Sequence, residues 1–199
     1  MVLLGFFVRD YSRNTLWFRD YAKPRFVPEH GSLKLVGSPV IPPEQLFEEY
    51  VTGRRKIGAG VRSYALGALA RFQRALRDRT VTAQSEGALV LSGIMARFAA
   101  EVRAAGATPL WMIIPDRDVL GRRARHEPIE RLCEQYAAAI RLPCLSLSKI
   151  FRDWAQAHPD QKIYQGRETG GHLSPAGNRL VAEEIRRFLV REGVLKSDG

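Results

Sequence analysis

Cysteine is scarce in this chain. Cys133 and Cys144 are the only two among 199 residues, and neither belongs to a C-x-x-C pair or a Cys/His ligand pattern. A disulfide framework and a Cys-type zinc site are thereby excluded, and both read as ordinary semi-buried thiols that say nothing about redox compartment. Long apolar runs are lacking too. No stretch approaches the roughly 18 to 20 apolar residues needed to span a bilayer. The opening VLLGFF also has neither the basic leader nor the small-residue cleavage site of a secretory signal. The sequence as it stands reads as soluble, with its compartment left open. Lysine is short as well, six residues against 25 arginines. The net charge of +10 is therefore carried by arginines scattered through an Ala-, Gly- and Leu-rich chain. Its densest groups, GRRK at 53–56 and GRRAR at 121–125, have no interleaved aromatics and accompany no nucleic-acid motif. The surplus reads as solvated surface, and no nucleic-acid partner is expected.

What the chain does contain is an ample core for one domain, 1–199, with 45% hydrophobic residues. Three short apolar runs read as strands: Val2 to Val8, Thr108 to Pro115 and Leu142 to Leu147. Helical periodicity separates the last two, with Ile129, Leu132, Cys133, Tyr136 and Ile140 on one face. A second helix, with Leu91, Ile94, Met95, Phe98 and Val102 in its stripe and Gly106 at its end, precedes the middle run. Strands alternating with helices imply right-handed crossovers and a parallel sheet covered on both faces, an α/β sandwich of three layers. The first run is apolar on every side, the mark of a strand with neighbours on both flanks.

The segment from about 17 to 80 breaks the alternation. Pro24, Pro28, Pro39, Pro42 and Pro43 punctuate short pieces such as SLKLV, so it reads as an irregular insertion holding one small hairpin. Within the insertion, two helices are expected after this proline-rich first part, one in PPEQLFEEYV and one in VRSYALGALARFQRAL. The insertion is expected to lie over the carboxyl edge of the sheet, where open α/β folds hold ligands.

Chemistry concentrates near the carboxyl terminus. In GGHLSPAGNRLVAEEI, His172 follows two glycines and enters a helix with Ser174 as N-cap and Pro175 at its first position. Leu180, Val181, Ile185, Phe188 and Leu189 form that helix's apolar stripe. An imidazole on a glycine-flexible loop, backed by a packed helix, suits general-base work.

This block resembles the last conserved block of the SGNH (GDSL-type) hydrolases, and VLLGFFVRDYSRN is similar to their third block, a buried strand ending in Asn-Asp. The resemblance implies a flavodoxin-like SGNH fold and hydrolysis of an ester, with a small-molecule, carbohydrate or lipid ester as substrate and with neither cofactor nor metal. It makes His172 the catalytic histidine that takes the proton of a serine hydroxyl. Arg9 and Asp10 fall where the family has Asn-Asp, so that a guanidinium stands in for the amide donor to the oxyanion. The carboxylate usually found two or three residues before the histidine is replaced by Gly170 and Thr169, and Glu168 is the nearest acid.

The family's Gly-Asp-Ser nucleophile motif and its oxyanion-glycine block are both missing from these 199 residues. None of Ser12, Ser38, Ser63, Ser92, Ser146 and Ser174 sits in a strand-to-helix elbow. The expectation is an N-terminally incomplete SGNH fold whose absent strand should lie beside Val2 to Val8. That open apolar edge should promote self-association. Other features read blandly. His30, His126 and His158 are expected at the surface, Trp17, Trp111 and Trp154 in packing, and Arg9 is equally a salt-bridge partner for Asp10 or Asp20. Asn14 and Arg13 belong to the turn after the first strand or to the same cleft. Two functions stand: an ester hydrolase, and a non-catalytic SGNH-like binding or scaffolding module.

Overall fold

A computed structural model describes residues 1–16, 22–52, 81–121, 126–166 and 172–196. The expected helix in VRSYALGALARFQRAL, both arginine-rich groups for the most part, Glu168 and the paired glycines at 170 and 171 lie outside the described residues, as do Trp17 and Asp20.

The chain is a mixed α/β protein. Its elements run β1 (Val2–Phe7), α1 (Asp10–Asn14), β2 (Arg25–Glu29), β3 (Ser32–Val36), α2 (Pro43–Val51), α3 (Glu86–Ala104) and β4 (Pro109–Ile114). A 3-10 turn (Arg117–Leu120), α4 (Glu127–Ala139), β5 (Cys144–Ser146), α5 (Ser148–Ala157) and α6 (Pro175–Arg191) complete it. Two compact units emerge, one of Met1–Asp10 with Met95–Gly199 and one of Tyr11–Ile94. No described helix is long and apolar enough to cross a membrane.

In the first unit β1, β4 and β5 form a parallel sheet in that order. β4 is the centre, buried from Pro109 to Ile113, as its unbroken apolar sequence requires. Its alternate side chains serve two faces. Leu110 and Met112 join a core built with Leu145, Leu147 and Phe151 around β5 and α5, and with Leu180, Phe188 and Leu189 of α6. Between them Trp111 turns the other way, its ring 5.7 Å from Phe6 and 5.9 Å from Phe98 of α3. Trp111 and Trp154 are packing residues, as their sequence context implies.

β1 has the composition of a central strand, yet among the described residues it pairs only with β4. The consequence is visible in its exposure. Val2 is 44% exposed and Leu3 and Leu4 are half-buried, whereas Leu110 and Trp111 opposite them are closed off from solvent. α3 ends where expected: Gly106 takes a φ of 71°, and Ala107 N donates to Val102 O at 3.0 Å.

In the second unit SLKLV is β3 of an antiparallel hairpin with β2, closed by His30 and Gly31. The hairpin is thus real, and its two-residue turn explains why His30 is exposed. α1 and α5 had no counterpart in the sequence reading.

Candidate functional site

Arg9 and Asp116 lie two residues beyond the carboxyl ends of β1 and β4, and the parallel register Phe7–Ile114 sets them side by side. Arg9 Nε donates to Asp116 Oδ2 at 2.5 Å, the carboxylate 3% and the guanidinium side chain 45% exposed. The other carboxylate oxygen, Oδ1, accepts the backbone N–H of Arg117 at 2.8 Å and so caps the 3-10 turn. Arg9 therefore pairs with Asp116, a residue the sequence reading did not single out. Asp10 opens α1 as the acidic residue of its first turn.

The same turn carries Asp118, whose carboxylate lies 3.2 and 3.3 Å from Nδ1 of His126. His126 is thus no bare surface histidine: its side chain is 23% exposed, and it precedes α4. The Asp118 hydrogen bond raises its pKa above the usual value. Burial and Arg9 oppose that rise, and the Asp116 charge adds to it.

Asp116, Asp118 and His126 offer ligand atoms within 4.8 Å of one another. The donor set does not fit a cation well. Asp116 already accepts from a guanidinium, which would repel a metal placed there, and its second oxygen is committed to the turn. The group is better described as a network of charges and protons.

His172 is held at the same end of the sheet through its backbone. Its carbonyl accepts from Gln165 N at 2.8 Å, and Leu173 bridges Tyr164. Tyr164 in turn donates its hydroxyl to Pro115 O at 2.9 Å, at the end of β4, and burial pushes its pKa up. Arg117 donates to Gly166 O, a second tie between the two loops. The helix behind His172 forms as its sequence dictates. Ser174 Oγ accepts from Gly177 N at 3.0 Å and donates to Lys162 O, and Pro175 opens α6. The His172 side chain is exposed, and its ring has no hydrogen-bond partner among the described residues.

The two cysteines stand apart from this site. Cys133 is fully buried and its pKa driven up by desolvation, and Cys144 is raised to about 12 for the same reason. Neither is a thiolate at neutral pH.

What the sequence reading missed is the Asp116–Asp118–His126 network. The signal for it was the P-D-x-D that follows the buried strand LWMII. Searches against protein-family models, curated proteins and solved structures return no match.

Proposed function

We propose that this chain is an SGNH-type ester hydrolase unit in which His172 is the general base and Arg9 supplies the positive charge that meets the oxyanion. The observation that carries the proposal is the convergence at one edge of a parallel sheet. Arg9 is held by a buried carboxylate at the ends of β1 and β4, and the His172 turn is tied to the end of β4 through Tyr164. That edge is where open α/β sheets bind ligands.

In this reading an ester carbonyl is placed against Arg9, and the attacking hydroxyl gives its proton to the imidazole of His172, which has no hydrogen-bond partner among the described residues. The tetrahedral adduct collapses as the imidazolium returns the proton to the leaving alkoxide. The 199 residues contain no Gly-Asp-Ser motif, so this reading assigns the attacking hydroxyl to no residue of the chain. By the same resemblance Asp10 and Glu168 are the carboxylates assigned to the site, Asp10 at the start of α1 and Glu168 outside the described residues. The substrate class is an acyl ester of a small molecule, carbohydrate or lipid.

The missing nucleophile motif favours a second reading, a non-catalytic SGNH-like binding module. Hydrolysis of p-nitrophenyl acetate by the wild type and by His172→Ala separates the two. The hydrolase reading expects a loss of about 10²–10⁴-fold in the variant. Equal rates in the two proteins refute it and leave the module.

A further inference from the structure

We infer that Asp118 and His126 form an acid–base dyad of their own, a carboxylate-oriented imidazole suited to taking the proton of a water or alcohol hydroxyl. The inference does not depend on the hydrolase reading, because it assigns no role to His172 or to an absent serine.

Three features of the geometry support it. First, Asp118 engages Nδ1 with both of its oxygens within 3.3 Å, which fixes the tautomer with the proton on Nδ1 and leaves proton exchange to Nε2. Second, the imidazole retains 23% exposure, so the ring is sheltered yet within reach of solvent. Third, the dyad sits on the turn that leaves the carboxyl end of β4, next to the Arg9–Asp116 pair.

A purely structural account explains less. His126 stands at the N-terminal end of α4, where a helix disfavours an imidazolium, and its side chain caps nothing there. A histidine kept only for packing or capping has no need of a carboxylate partner at that place. The charged groups that face the ring are Asp118 and Asp116, which favour its protonated form, and Arg9, which disfavours it.

Carbethoxylation with diethyl pyrocarbonate reads the reactive nitrogen directly. The Nε2 lone pair attacks one carbonyl of the reagent and the anhydride C–O bond breaks. Ethyl carbonate then leaves, taking up a proton equivalent to the one Nδ1 gives up, and falls to carbon dioxide and ethanol. Mass spectrometry of the intact 199-residue protein, digested after timed labelling between pH 5 and 9, reports each histidine separately. The exposed His30, His158 and His172 serve as internal standards.

The dyad requires two results in the wild type. The labelling midpoint of His126 lies above the ordinary histidine value of 6.5, and its limiting rate at high pH exceeds those of His30 and His172 despite its lower exposure. In Asp118→Asn both the midpoint and the limiting rate of His126 fall, while those of the other three stay put. Slower labelling of His126 than of the exposed histidines across the whole range overturns the inference, as does an Asp118→Asn protein in which His126 is unchanged. The wild-type comparison decides the matter even if the variant fails to fold.

Discussion

Adding one methyl group at Gly177 tests the packing that mounts His172. A Cβ built there would lie 2.3 Å from the carbonyl oxygen of Ile163 and 3.1 Å from its carbonyl carbon, both backbone atoms that cannot swing aside. Restoring ordinary contact means withdrawing the first turn of α6 by about 1 Å, and overpacking shifts of this kind cost roughly 1–3 kcal/mol. The same carbonyl accepts from Ser174 N at 2.7 Å, so withdrawal also loosens a hydrogen bond worth about 0.5–1.5 kcal/mol. Opposing this, alanine is the better helix former by about 1 kcal/mol. Strain wins, and Gly177→Ala should lose about 2 kcal/mol. For a chain of this length that is a fall in Tm of roughly 4–8 °C. Thermal unfolding followed by circular dichroism measures it, and hydrogen exchange at Gln165 and Ser174, whose amides hold the His172 turn, should quicken in the same variant. A Tm equal to or above that of the wild type would refute the argument, because helix propensity would then have outweighed the contact with Ile163.

Two further predictions concern a buried charge and an open edge. Glu130 is 6% exposed and its pKa is raised by burial, with the Ser148 hydroxyl hydrogen bond pulling the other way. The folded protein thus holds this proton more tightly than the unfolded chain. Stability from the group is complete below its ordinary value of 4.5, falls as pH rises through the raised folded value, and is level above it. Glu130→Gln keeps an acceptor for Ser148 and should stabilise the protein near pH 7.5 by about 1 kcal/mol, a fraction of the cost of an unpaired buried ion. Relative to wild type the gain should shrink toward pH 4.5 in urea titrations, and a gain independent of pH would contradict the assignment. At the other site, β1 offers an apolar edge with Val2 44% exposed, and we propose that this edge drives self-association. Light scattering should show mass rising with concentration for the wild type and less so for Val2→Lys, which puts a charge on the edge while changing stability by no more than about 0.5 kcal/mol. A wild type that stays monomeric at every concentration would remove the edge from consideration.

How much of this was readable in advance depended on how far apart in the chain the cooperating residues lie. β4 announced itself through six consecutive residues, PLWMII, whose burial needs no partner to be guessed. The start of α6 behind His172 was equally legible, since Ser174 and Pro175 encode cap and start in adjacent positions, whereas the close approach at Gly177 emerged only from the structure. α5 was not: its N-cap position is Leu147, which has no capping side chain, and the hydroxyl of Ser148 is turned to Glu130 instead. The apolarity of β1 was read correctly as a strand, but composition alone cannot say that among the described residues only one flank is paired. The Arg9–Asp116 pair spans 107 positions and exists only because of the parallel register. Yet the register makes it simple. Phe7 faces Ile114, and each strand is followed two residues later by the charged side chain of the pair. Given the expectation that two apolar runs lie parallel and adjacent, aligning their carboxyl ends would have placed Arg9 beside Asp116, and the next alternate residue, Asp118, would have led to His126.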